Sequence, residues 1–220
     1  RQKVDALNVF PVPDGDTGTN MSMTMGAARE DLLHNDYPTV GDVAGKAASA
    51  LLRGARGNSG VITSLLFRGF SKGLKHKSEA GAADLVEALE IGVAAAYKGV
   101  MKPTEGTILT VARVAAEKSR TALTDTMEPL EIWDLIIQYA EEALAQTPEQ
   151  LPVLKKAGVV DAGGQGLVYI LKGMRQVFAG EGVVPGIAGD TAAAPAEEAA
   201  TVVNAAGEVE EVDINNPYCT

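Results

Sequence analysis

Cysteine and histidine are scarce in this chain. A single cysteine, Cys219, in 220 residues excludes an internal disulfide, and no thiol cluster points to zinc or an iron–sulfur centre. A reducing compartment fits that usage, and a cytoplasmic location is expected. The two histidines, His34 and His76, fall at expected helix ends without a Ser or Cys partner, so solvated surface roles suit both. No apolar run approaches the roughly 18 to 20 residues needed to span a bilayer, and the N-terminus lacks a charged-then-apolar signal pattern. Membrane insertion is therefore not expected.

Positive charge is also limited, with 19 Lys and Arg against 29 Asp and Glu for a net charge of −10. From Gly186 to Thr220 there are seven acids and no base, so the other 185 residues carry only −3. A body this close to neutral has no basic stripe to follow a phosphate backbone, and no nucleic-acid partner is expected. Local Lys and Arg remain able to serve a nucleotide. The charge split suggests a body at 1–185, an acidic Ala-rich linker at 186–209, and at 210–220 the first strand of a following domain. Because the chain opens at Arg1 without an initiator Met, it reads as a piece of a longer protein.

Helical periodicity dominates the body. Val61, Ile62, Leu65, Leu66, Phe70 and Leu74 share one face, as do Leu130, Trp133, Ile136, Ile137, Ala140 and Leu144. Helices are expected at about 17–34, 40–54, 59–76, 82–101, 107–123, 128–147, 149–157 and 164–180. A remnant of an earlier helix is expected at 1–7. Thr39 with Asp42 reads as a capping box, Asn58 as a cap and Asp84 as a helix start. The result is an all-α bundle. Trp133 and the series Met21, Met23, Met25 read as bundle contacts.

Chemistry concentrates in Asn8-Val-Phe-Pro-Val-Pro-Asp-Gly-Asp-Thr-Gly-Thr-Asn-Met21. Pro11 and Pro13 hold the approach extended, while Gly15 and Gly18 permit a tight turn. Asp14 and Asp16 then converge. At an effective dielectric of about 20, two carboxylates about 5 Å apart repel by roughly 3 kcal/mol, so a cation between them is favoured. Mg2+ with a nucleotide leads, and Asn8, Thr17, Thr19 and Asn20 offer further oxygens. The alternative is that the two acids cap the helix starting near Thr17. An EF-hand fails, because counting from Asp14 places Thr19 and Met25 where Gly and Glu are required. Pro-Val-Pro replaces the buried strand of an Asp-x-Asp phosphatase, and the helical periodicity lacks the α/β domain of a paired-Asp glycosyltransferase.

Three more turns precede helices: Gly54-Ala-Arg-Gly-Asn-Ser-Gly60, Glu105-Gly106-Thr107 and Asp161-Ala-Gly-Gly-Gln-Gly166. Backbone N–H groups there suit phosphate, with Arg56 and Ser59 as added donors. The first is no Walker A loop, since no Gly-Lys-Ser/Thr follows and no strand precedes. An ordinary interhelical turn, with Gly57 closing one helix and Asn58 capping the next, is the competing account. If these segments share one end of the bundle, they make a pocket.

Taken in order, these segments together with Lys102-Pro-Thr-Glu-Gly-Thr107 and Val160-Asp-Ala-Gly-Gly164 resemble the nucleotide-binding domain of the dihydroxyacetone kinase (DhaL/Dak2-like) family. Within it the chain looks most like the ATP-binding subunit of bacterial fatty acid kinase. The resemblance covers roughly 1–185 and implies an antiparallel eight-helix barrel with ATP or ADP and two Mg2+ at one end. It implies that Asp14 and Asp16 are catalytic and ligate Mg2+, with Asn8 near the place of a third Asp in the family pattern. Thr17 stands where dihydroxyacetone kinases carry His. Asn58, Ser59 and Gly60, with Arg56 and Gly57 beside them, match the phosphate turn, and Thr17 and Asn20 are further nucleotide-binding candidates. Thr107 and Ile108 match the adenine-side helix start, and Asp161 with Gly163 matches the last nucleotide loop.

The activity implied is phosphoryl transfer from ATP to a fatty-acid carboxylate presented by a separate DegV-like lipid-binding protein, with dimerisation through further domains compatible with it. Such an acceptor is already ionised near neutral pH and needs no general base. A small-hydroxyketone kinase and a non-catalytic nucleotide-binding scaffold are the two rival functions.

Overall fold

The computed structural model describes residues 1–33, 36–181, 202–203 and 209–210. They fall into two compact units, Arg1–Val183 and Val184–Thr220. In the second, β1 (Val202–Val203) pairs antiparallel with β2 (Val209–Glu210), Val202 opposite Glu210 and Val203 opposite Val209. Both strands fall in or at the edge of the expected linker. The rest of the expected linker and nearly all of the expected strand at 210–220 lie outside the described residues, as does His34.

The first unit is all α. After the short α1 (Gln2–Asp5) come α2 (Thr17–Leu32), α3 (Val40–Arg53), α4 (Gly57–Gly73), α5 (Ala82–Gly99), α6 (Ile108–Ala122) and α7 (Pro129–Ala145). Two short helices, α8 (Thr147–Gln150) and α9 (Pro152–Ala157), precede α10 (Ala162–Phe178). The single helix expected at 149–157 is broken at Leu151, because Pro152 disfavours helical backbone at the residue before it. No helix among the described residues is long and apolar enough to cross a membrane.

Helix starts follow local chemistry. Thr39 Oγ1 accepts from Asp42 N at 3.1 Å, and Gly81 N and Glu128 N donate at 2.8 Å to Asp84 and Glu131, three residues ahead in each case. α4 departs from expectation. Arg53 ends α3 with Gly54 as its cap, and Gly57 opens α4 at φ +57 instead of closing α3. Asn58 is consequently the second residue of α4 and caps nothing. Only glycine suits Gly57, since a side chain there would combine a left-handed backbone with a clash against Asn20.

Each long helix packs on its successor, α7 packs on α10, and α10 returns to α2, closing a ring. The core holds Val86, Leu109, Val111, Ile132, Trp133, Ile136 and Val168, all almost wholly buried. At about 1.5–3 kcal/mol per large apolar side chain, this burial is the main force drawing the amphipathic helices together. Trp133 packs edge-on against Phe70 and Phe178, with centroids 6.3 and 5.1 Å away, and its Nε1 donates to Leu171 O at 3.0 Å. Met21 joins the core, but Met23 is exposed, so the methionine series is not one buried stripe. An apolar void of about 30 Å3 lies among Leu66, Phe70, Leu89, Trp133 and Leu171, too small for a nucleotide.

Replacing Trp133 by Phe keeps most of the apolar area but removes the Nε1 bond to Leu171 O, a mid-helix carbonyl that keeps its own helix donor. Urea unfolding is expected to show a loss of about 1 kcal/mol, the net worth of one hydrogen bond.

Candidate nucleotide site

Four helix N-termini gather at one end of the ring. Met21 and Gly166, each the fifth residue of its helix, meet so closely that a Cβ on Gly166 would strike the methionine sulfur, so α2 and α10 start level. Ser59 Oγ at the start of α4 donates to Thr17 O at the start of α2, at 3.4 Å. A Cβ on Gly163 would lie 3.2 Å from Ile108 Cβ, which sets the start of α10 beside that of α6. The segments 15–18, 54–60, 105–107 and 161–166 therefore share one end. Their surface is open, with Asp14, Arg56, Gly57 and Asn58 exposed, Ser59 partly buried and Gly60 buried.

The acidic turn is assembled from two pieces of chain. Asn8 is buried, and its Nδ2 donates to Asp14 Oδ1 at 2.6 Å. That bond fixes the amide orientation, because the reversed amide would oppose two oxygens. Asn8 Oδ1 is left buried without a partner. Gly15 takes φ +69, and the Phe10–Pro11 peptide is cis rather than part of a simple extended run. Asp16 is the N-cap of α2 by position, yet its side chain makes no capping bond. The cap comes from Asp5: Thr19 N donates to Asp5 Oδ1 at 2.8 Å and Thr19 Oγ1 to Oδ2 at 3.0 Å. The capping alternative for Asp14 and Asp16 is thereby filled by another residue.

Helix α4 lacks a side-chain cap, as the Arg56 guanidinium has no acceptor to offer its N–H groups. Its approach is fixed instead by Thr24, whose Oγ1 accepts from Arg56 N at 3.1 Å and donates to Asn20 O at 2.7 Å. The first N–H groups of α4 are thus directed to the open end with no side-chain acceptor, the arrangement that favours an anion. Thr107, the N-cap of α6, points its hydroxyl to Thr104 O at 2.7 Å and does not cap its own helix.

Asp161 is placed differently from a surface ligand. It is 5% exposed, and its carboxylate accepts from Gly164 N at 2.7 Å, with the Ile108 N–H favouring its charged form, while Asp161 N donates to Thr147 Oγ1 at 3.1 Å. It joins the starts of α6 and α10. Burial pushes its carboxyl up to about 6 from 3.8, against the two N–H groups that pull it down.

Asn8 Oδ1, Asp14 and Asp16 supply hard oxygens of the kind Mg2+ takes, and the orphaned amide oxygen is an observation in favour of a cation there. Among the described residues no group of three or more His, Cys, Asp or Glu forms a metal cage. A site completed by phosphate oxygens and water matches the habit of Mg2+. Sequence reasoning missed Asp5, Thr24 and Thr147. A threonine on the same α2 face as Met21 and Ala28 was a readable signal for Thr24.

Residues 11–176 match the model of the DAK2 domain. The chain belongs to the DAK2 domain family. DAK2 domains of the DhaL type are kinase-associated modules that bind ADP or ATP. Among curated proteins this DAK2 chain is 49% identical, over 180 residues, to uncharacterized proteins of Staphylococcus aureus strains USA300 and N315. The match takes in 82% of the chain and 33% of each relative, so the chain spans about a third of their length.

In this DAK2 site, Asp5→Ala should remove the Thr19 cap and lower stability by about 1 kcal/mol in urea unfolding. For Asp161 the folded pKa lies above the unfolded value, so its contribution is full below pH 3.8 and is lost as pH rises through about 6. The difference amounts to about 3 kcal/mol. Asp161→Asn should therefore lack this fall, and wild-type stability should drop relative to the variant between pH 4 and pH 7.

Proposed function

We propose that this DAK2 domain is the Mg-ATP-binding part of a kinase that phosphorylates the carboxylate of a fatty acid presented by a separate lipid-binding protein. The observation carrying the nucleotide part is the meeting of the uncapped α4 N-terminus with the Asn8–Asp14 pair at one end of the ring. The fatty-acid part rests on the resemblance, including Thr17 where hydroxyketone kinases carry His.

The N–H groups of Gly57, Asn58 and Ser59 hold the phosphates, and Arg56 adds positive charge from the exposed rim. Asp14, Asp16 and Asn8 Oδ1 hold the cation. Mg2+ held there, two ions by the resemblance, would supply charge neutralisation at the phosphate oxygens. A carboxylate oxygen of the acid bonds to the terminal phosphorus as the bond to the ADP oxygen breaks, giving acyl phosphate and ADP. No proton has to move, so no residue of this chain is required as a base. Its work is positioning and charge compensation. A cytoplasmic setting and dimerisation through other parts of the protein accompany this reading.

The test uses the full-length protein with a fatty-acid-loaded carrier, trapping acyl phosphate with hydroxylamine, and dihydroxyacetone in parallel. Asp14→Ala and Asp16→Ala should each lower turnover by more than about 100-fold, beyond what losing an outer-shell metal partner costs. Both should also weaken Mg-ATP binding in calorimetry. Unchanged binding and turnover in both variants would remove the metal assignment, and dihydroxyacetone phosphate as the sole product would move the acceptor to the hydroxyketone class.

A further inference from the structure

Between α5 and α6 lies a polar cluster that phosphoryl transfer leaves unused. Glu105 accepts three side-chain hydrogen bonds: from Tyr97 Oη near the end of α5 at 2.9 Å, and from Thr110 Oγ1 and Arg113 Nη2 on α6 at 2.7 and 2.8 Å. Arg113 Nε also donates to Tyr97 Oη at 3.2 Å, and its Nη1 reaches Glu117 at 3.1 Å. Burial alone would raise the Glu105 carboxyl, but the bonds from Thr110, Arg113 and Tyr97 outweigh it and hold the group below the usual carboxylate range.

Arg113 with Glu105 alone, as a surface pair, stabilises by less than about 1 kcal/mol, but here three donors converge on one carboxylate. Their effect is local. Thr110 Oγ1, while donating to Glu105, accepts from Gly106 N at 2.8 Å, and Gly106 sits buried at φ +79. Thr107 Oγ1 closes the same turn onto Thr104 O. The carboxylate, through Thr110, thus fixes the backbone immediately ahead of Thr107 and Ile108. Ile108 in turn lies against Gly163 at the start of α10.

We infer that Glu105, clamped by Tyr97 and Arg113, is a positioning residue that sets the 104–107 turn and so aims the α6 N-terminus at the nucleotide. This rests on the nucleotide-binding reading above. Glu105 touches no reacting atom; it acts through Thr110 and Gly106.

The experiment compares wild type, Glu105→Ala and Tyr97→Phe by amide hydrogen exchange without nucleotide, by Mg-ADP calorimetry and by urea unfolding. Glu105→Ala should speed exchange at Gly106 and Ile108 about tenfold, with the slow amides of α7 unchanged, and weaken Mg-ADP about tenfold. Tyr97→Phe, which keeps the Arg113 contact, should give about a two- to threefold effect on both. Unchanged exchange at Gly106 and Ile108 in Glu105→Ala would overturn the inference, as would a uniform rise across all helices, the mark of a merely structural role. Unchanged Mg-ADP affinity beside a loosened turn would overturn it too. If wild type binds no Mg-ADP, the nucleotide reading fails on its own, and the exchange arm still decides whether Glu105 sets the turn. Should Glu105→Ala not fold, Tyr97→Phe carries the same decision.

Discussion

Helix α2 is approached on several sides at distances that leave no room for ordinary side chains, and the rest of the site depends on that crowding. Met21 abuts the backbone of α10 at Gly166, and Asn20 abuts α4 at Gly57. Thr24 ties down the turn before α4, and Asp5 reaches in from α1 to cap the helix. These contacts leave little freedom to slide one helix start past another. A shift of one turn would move an N-terminus by about 5.4 Å, enough to take its N–H groups away from a phosphate. Packing density, more than any one polar bond, keeps the helix starts level.

The electrostatic consequence is a concentration of partial positive charge at one end, beside two carboxylates whose capping role has been taken by Asp5. An anion alone would be repelled by Asp14 and Asp16, and a cation alone by the helix ends. A metal-bound polyphosphate satisfies both. Asp161 bears the strain of the arrangement. Its carboxylate is withdrawn from water where α6 and α10 begin, and burial outweighs the pull of the Gly164 and Ile108 N–H groups.

Much of this was readable from the chain. The Thr39–Asp42 box appears where the pattern puts it, Asp84 lies in the first turn of α5, and the apolar stripes of α4 and α7 face the core apart from the exposed Val61. What was not readable depends on partners distant in sequence. Asp5 and Thr19 are 14 residues apart and Arg56 and Thr24 are 32 apart, and no periodicity links either pair. Cap propensity favours Asn58 as the N-cap of α4, but the helix start is decided by Gly57 fitting against Asn20. The motif around Asp161 places it in the last nucleotide loop, whereas its burial is a property of the assembled ring and has no local signal.

The central claim is that the gathered helix starts form the nucleotide site. Titrating the protein with Mg-ADP while following backbone amide resonances tests it most directly. The account predicts the largest shifts at Gly57, Asn58, Ser59 and Ile108 and in the turn from Asp14 to Thr17, with the opposite end of the ring unmoved. Binding that shifts amides at the far end, around His76 and Phe178, and leaves residues 57–59 unchanged would contradict it.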